Sequence, residues 1–158
     1  MTGLHSKLHS IMAKSTSIRE LASEKLETIG ASDTAQHAAK KIRDKNVGSL
    51  IVVDRADMPV GIITEHDLVK KICATGARSS DVFLHQIMSS PLITIDVNST
   101  IQIAADTMIN NNVRHLLVMD SDRVVGIISS TDFRSYLKQH VDLDEVYSAI
   151  LDGLSDGS

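Results

Sequence analysis

The chain has no tryptophan, and its aromatic residues are two phenylalanines and two tyrosines in 158 positions. Its core cannot be built from rings. Isoleucine, valine, leucine and alanine must fill it, a stock that suits sheets covered by helices. A single cysteine, Cys73, excludes an internal disulfide framework and makes a reducing compartment the expected setting. No apolar run reaches the roughly 18 residues needed to cross a bilayer. The N-terminus carries His, Ser and Lys but no apolar signal core, so a cytoplasmic location without membrane association is expected. Positive charge is not in excess either. Sixteen Lys and Arg face 20 Asp and Glu, for a net charge of −4, which argues against nucleic acid as the main partner. Hydrophobic content of 42% against 23% charged residues points to a packed globule rather than disorder. The length allows one domain, or two small units sharing a core.

What the chain does have is a repeat. Leu26, Thr28, Ile29, Thr34, Gln36, Ala38, Ala39, Asn46, Val47, Leu50, Val52 and Asp54 all return 66 positions later, as does Ser23 at Ser89. Val60, Gly61, Ile62, Ile63 and Asp67 return 65 positions later, because the second copy is one residue shorter between Asp120 and Val125. Duplication is the direct reading. It implies two related clefts whose differences can be read by subtraction.

Each copy follows one grammar. In the first, Ser17 caps a short turn over Ile18–Ala22, and Leu26–Ile29 is a brief strand. A helix starts at Ser32 or Asp33 and runs to about Lys45, with Ala35, Ala38, Ala39 and Ile42 at helical spacing. Ser49–Asp54 is an apolar strand suited to burial on both faces. Val60–Thr64 is a further strand, and Glu65–Ala74 a helix ended by Gly76. In the second, strands cover Leu92–Ile95, His115–Asp120 and Val124–Ser129, with helices over Ser99–Asn110 and Ser130–Gln139. Leu4–Met12 and Asp142–Leu154 read as additional helices outside the repeat. The expected fold is α/β, two pseudo-symmetric β-α-β-β-α repeats packed sheet to sheet. The segments are an N-terminal extension (1–17), repeat 1 (18–76), a linker (77–83), repeat 2 (84–140) and a C-terminal helix with its tail (141–158).

Chemistry concentrates in Gly61-Ile62-Ile63-Thr64-Glu65-His66-Asp67 and its counterpart Gly126-Ile127-Ile128-Ser129-Ser130-Thr131-Asp132. Both sit where a buried strand turns into a helix. A hydroxyl followed three residues later by an acid makes a good helix start and needs no ligand. The same geometry also suits a nucleotide. Free N–H groups and the positive end of the helix dipole favour phosphate, and the acid can accept two hydrogen bonds from a ribose cis-diol. Retention of hydroxyl and acid in both copies, while the intervening pairs diverged, adds weight to the second reading.

The tandem copies, their element order and the Gly-x-x-(Ser/Thr)-x-x-Asp end of each resemble a pair of CBS domains, the Bateman module, over about residues 18–138. The resemblance implies a regulatory module for an adenosine ligand such as AMP, ADP or ATP, or in some members S-adenosylmethionine, and no catalysis. It also implies that Leu92 and Ile93 would combine with Thr64 and Asp67 in one site, and Leu26 and Glu27 with Ser129 and Asp132 in the other. Subtraction separates the two. Gly48-Ser49 of repeat 1 becomes Arg114-His115 in repeat 2. In the resembled family, basic residues here reach the ligand phosphates. Arg114 offers a permanent, fork-shaped charge and His115 one that depends on pH. The stronger phosphate site is therefore expected at Asp132.

Other features are weaker. His5 and His9 could share a helix face, but two histidines without a further ligand do not make a metal site. His37, His66 and His85 are scattered, and Cys73 reads as a small buried hydrophobe. Lys40-Lys41 and Lys70-Lys71 read as solvated charge, although Lys70 or Lys71 could border a phosphate cleft. No G-x-S-x-G or other nucleophile signature is present, so an enzyme is not expected. The helix faces containing Ala35, Ala38, Ala39 and Ile42, and Ile101, Ala104, Ala105 and Met108, hold small residues that permit close packing. Together with the resemblance they suggest a homodimer signalling to a separate effector protein. The competing reading is a homodimeric interaction scaffold that binds no ligand.

Overall fold

The computed structural model describes residues 17–140 together with positions 148 and 151. The helices expected over Leu4–Met12 and Asp142–Leu154 lie outside the described residues. Lys25–Leu92 forms one compact unit, here the first. The described residues up to Glu24 and from Ile93 onward form the second.

The first unit is built on β1 (Thr28–Gly30), β2 (Ser49–Val53) and β3 (Pro59–Thr64). β1 runs parallel to β2, and β2 antiparallel to β3, in the order β1-β2-β3. The 11-residue helix (Ala35–Lys45) makes the parallel crossover. Ala35, Ala38 and Ile42 are buried on its inner face, against Ile29, Leu50, Val52 and Ile63. The second unit repeats this plan with strands Thr94–Asp96, His115–Asp120 and Arg123–Ser129 and the crossover helix Ile101–Asn111, whose Ala104 and Met108 face Ile95, Leu116, Val118 and Ile128. Among the described residues, numbered in chain order, the helices are α1 (Ile18–Leu21), α2 (Ala35–Lys45), α3 (Glu65–Leu68), α4 (Leu84–Ile87), α5 (Ile101–Asn111) and α6 (Ser130–His140), and the second sheet is β4, β5, β6.

Local chemistry sets the boundaries. The crossover helices start one or two residues later than Ser32 or Asp33 suggested. Thr34 is the N-cap, its hydroxyl accepting from the His37 N–H, and Thr100 does the same for Ile103. Asp33 is engaged elsewhere: its carboxylate accepts from the Gly30 N–H at 3.0 Å and lies 2.9 Å from His37 Nδ1. Both crossover helices end on an asparagine in the left-handed region, Asn46 (φ 52°) and Asn112 (φ 51°), where the short amide side chain tolerates that backbone.

The compact units cut across the repeat boundaries. α1 precedes the first repeat, yet Ile18 is fully buried in the second unit's core beside Ile95, Val97 and Leu116. The Ile18 N–H donates to the Ser99 carbonyl, and Ser23 pairs with Ile127 through two backbone bonds of 2.9 and 3.1 Å. α4 does the reverse. Leu84 is fully buried in the first unit's core, and Ser89 pairs with Ile62 through bonds of 2.9 and 3.0 Å. Each sheet is thus covered at its third strand by the lead-in segment of the other repeat. The recurrence of Ser23 as Ser89 marks this docking.

Two recurring glycines permit the approach. A Cβ built on Gly61 would stand 2.6 Å from Met88 Sδ and 3.0 Å from the Ser89 carbonyl oxygen, and one on Gly126 would stand 3.0 Å from Ala22 Cβ and 3.1 Å from the Ser23 oxygen. Met88 can swing aside, but backbone cannot. Gly61→Ala is expected to cost about 1–2 kcal/mol by prising the Ser89 strand away. A denaturation midpoint unchanged from wild type would contradict that packing.

The segment after Asp67 also departs from expectation. The α-helix lasts only from Glu65 to Leu68, and Val69–Cys73 continues as a π-helix. Ile72, four residues after Leu68, is buried, while Cys73, four residues after the exposed Val69, is exposed rather than packed. The alanine faces differ too. Ala35, Ala38 and Ala104 are fully buried within their own units, whereas Ala39 is exposed and Ala105 half-buried, so only part of each face covers its sheet.

Candidate functional site

Each motif sits where the third strand of a sheet becomes a helix. In the first unit Thr64 lies opposite Ser49, and in the second Ser129 lies opposite His115. The Glu65 N–H donates to the Gly48 carbonyl at 3.1 Å, and the Ser130 N–H donates to the Arg114 carbonyl at 3.0 Å. The positions separated by subtraction, Gly48-Ser49 against Arg114-His115, therefore stand directly beside the two helix starts. Arg114 is exposed, and among the described residues no carboxylate pairs with it. Over Gly48, among the described residues, the atom nearest a built Cβ is Glu65 Oε2 at 4.0 Å. The first helix start thus has the Glu65 carboxylate beside Gly48, where the second has Arg114 at the aligned position.

The hydroxyl and acid of each motif lock together. The Thr64 N–H and hydroxyl both donate to Asp67 Oδ2, at 3.0 and 2.8 Å, and the Asp67 N–H donates back to Thr64 Oγ1 at 3.1 Å. Ser129 and Asp132 repeat the pattern at 2.7, 2.7 and 3.4 Å. These are complete capping boxes, and each fixes its carboxylate at the helix start.

The acids differ in their second oxygen. Asp67 is the buried charged residue among the described positions, and Lys71, one turn on, places its ammonium 2.9 Å from Asp67 Oδ1. The same ammonium donates to the Ile87 carbonyl at 2.6 Å. In the second unit the aligned residue is Tyr136, which cannot supply a cation. Lys71 is thus a structural partner of the motif rather than a solvated charge. Its four-residue spacing from Asp67 was the available signal.

The remaining candidates are divided between the units. Leu26, Glu27 and Leu92 belong to the first unit with Thr64 and Asp67, while Ile93, Arg114, His115, Ser129 and Asp132 belong to the second. The Glu27 carbonyl accepts from the Ile51 N–H and the Ile93 carbonyl from the Leu117 N–H, both at 2.9 Å, so the two residues hold mirrored places at the entry of their first strands. The Glu27 carboxylate faces Lys41 at 3.6 Å and Lys45 at 3.8 Å.

A depression of about 710 Å³ lies at the opposite end of the first sheet, where β1 and β2 finish, with Asp33, His37, Arg55 and His85 in its lining. It includes none of the candidates named from the sequence. His85 stacks on Phe83 with ring centroids 5.9 Å apart. No group of three or more metal-ligating side chains occurs among the described residues.

Comparison with known proteins gives this geometry its family. The CBS domain family model matches twice, over residues 18–74 and 84–139. The chain belongs to the CBS domain family. An uncharacterized protein of Methanopyrus kandleri is 34% identical over 120 residues, which are 75% of this chain and 61% of that protein. An uncharacterized 17.7 kDa protein of Acidianus ambivalens is 33% identical over 127 residues, 79% of this chain and 76% of that one. A hexameric CBS-CP12 protein from bloom-forming cyanobacteria superposes with a TM-score of 0.71 at 26% identity, covering 89% of this chain and 85% of its own. The chain therefore spans about three fifths of the length of the Methanopyrus relative. The α/β expectation holds in this CBS pair as two three-stranded sheets with helices. CBS pairs are generally regulatory ligand-binding modules. Among the described residues no helix is long and apolar enough to cross a membrane.

Proposed function

We propose that this CBS pair is a cytoplasmic sensor of an adenine nucleotide, AMP, ADP or ATP, and performs no catalysis of its own. The observation that supports this best is the second motif. A carboxylate fixed by its capping box stands at the helix start, with His115 at the head of the neighbouring strand and Arg114 just before it, its carbonyl bonded to the Ser130 N–H. That set offers a ribose an acceptor and a phosphate a guanidinium, backbone N–H groups and a helix dipole. By the family resemblance, Leu26 and Glu27 would hold the adenine of this site, and Leu92 and Ile93 that of the other. The first motif, Thr64 and Asp67, has no such cation over Gly48 and carries Glu65 there, so it suits a less charged ligand.

Binding would bias the chain between arrangements, in proportion to the ligand's differential affinity for them. The output would go to a separate effector or through association of copies. The hexameric assembly of the cyanobacterial CBS-CP12 protein supports an oligomer.

Charge-assisted hydrogen bonds are worth ~1.5–3 kcal/mol net, so Arg114→Ala should weaken AMP and ATP binding roughly tenfold or more while leaving adenosine unchanged. Calorimetric titration reads this directly, and unchanged AMP affinity would remove Arg114 from the site. S-adenosylmethionine has no phosphate, so its binding would be indifferent to the same change.

One observation favours the scaffold reading instead: both motifs are complete helix caps that need no ligand. A thermal-shift series separates the two. A ligand at 100 times its dissociation constant adds ~2.7 kcal/mol to the folded state. No shift with any adenosine ligand would leave the scaffold.

A further inference from the structure

Asp67 and Asp132 are aligned, share the same capping geometry, and differ in what stands one turn further along. A carboxylate offers about four acceptor positions. At Asp67 the Thr64 N–H and hydroxyl take both on Oδ2, and the Lys71 ammonium takes one on Oδ1. A single position remains, whereas a ribose cis-diol brings two donors. Lys71 is also not a loose surface charge. Its second bond, 2.6 Å to the Ile87 carbonyl at the last residue of α4, anchors it from the far side. The Asp67 side chain is only 12% exposed and that of Lys71 39%, so water screens the pair incompletely. At Asp132 the corresponding residue is Tyr136, whose side chain carries no ammonium to set against the carboxylate.

We propose that Lys71 is a built-in competitor for the Asp67 carboxylate, one that weakens diol binding at the first motif and leaves the second motif to fill first. The inference rests on the nucleotide reading above and adds to it an order of occupancy. A ribose entering at Asp67 has to displace the ammonium, and in doing so releases the Ile87 carbonyl. Occupancy of the first motif is thereby tied to the end of α4, the lead-in helix of the second repeat.

The test uses the full chain and adenosine as a neutral probe, with AMP beside it, in titration calorimetry. Asp132→Ala silences the second motif and exposes the first alone. Adding Lys71→Met to that background should tighten adenosine binding roughly tenfold. Adding Lys71→Tyr, which copies the second repeat, should do the same and serves if the methionine variant does not fold. Lys71→Arg should leave binding as weak as in Asp132→Ala alone. Equal or weaker binding in both the Met and Tyr double variants, with wild type still binding, overturns the role of Lys71 and leaves the nucleotide reading intact. Absence of heat from wild type with adenosine, AMP, ADP and ATP overturns both.

Discussion

Ile18→Ala should destabilise the second unit, although Ile18 precedes the first repeat in the chain. The side chain is fully buried among Ile95, Val97, Leu116 and Ile128. Removing three of its carbons loses their transfer free energy and leaves a cavity, together about 2–5 kcal/mol for a well-packed isoleucine. The location of the effect matters more than its size. In native-state hydrogen exchange, amides of β4 to β6 and α5 should lose protection, while those of β1 to β3 and α2 keep theirs. Leu84→Ala should give the reverse pattern, since Leu84 is buried among Leu50, Val52 and Ile63. Loss of protection confined to β1–β3 in Ile18→Ala would mean that α1 packs on its own repeat after all.

The second large effect separates the two motifs in the absence of any ligand. Asp67→Ala leaves three donors without their acceptor: the Thr64 N–H, the Thr64 hydroxyl and the Lys71 ammonium. An orphaned buried donor costs about 1–3 kcal/mol, but Lys71 is partly exposed and recovers water, so the expected total is about 2–3 kcal/mol. Asp132→Ala removes a cap with no lysine behind it and should cost about 1 kcal/mol. Urea unfolding of the two variants measures the difference. Equal losses would show that the Lys71 contact adds no stability, and would also weaken the case for its competition with a ribose.

Much of the architecture was legible before any coordinates. Ser49–Val53 and His115–Asp120 are apolar on both faces and became the central strands, because residues buried on both sides of a sheet need no alternation. Ala35, Ala38 and Ile42 announced the inner face of α2 through their spacing alone. The two motifs were legible because duplication acted as an internal comparison. Other features were not. The exchange of α1 and α4 leaves no periodic trace, since a four-residue helix shows too few positions to reveal which sheet it covers; only Ser23 and Ser89, and the glycines they approach, hinted at it. The π-helical turn at Val69–Cys73 has no signature in the spacing, and Cys73 was misplaced because Val69, one turn before it, was counted as apolar core when it is exposed. The alanine faces were legible from spacing, but not which of their residues would meet the sheet. Ala35, Ala38 and Ala104 cover their own sheets, where small size serves close helix–sheet contact, and Ala39 and Ala105 lie outside that contact.

The reciprocal docking of α1 and α4 bears on how such a chain could have arisen. An ancestral molecule with one copy of the repeat would have carried a lead-in helix that fits the sheet of a neighbour, and a bare third strand waiting for a neighbour's helix. Such a molecule could complete its core only by exchanging these segments with a second copy of itself.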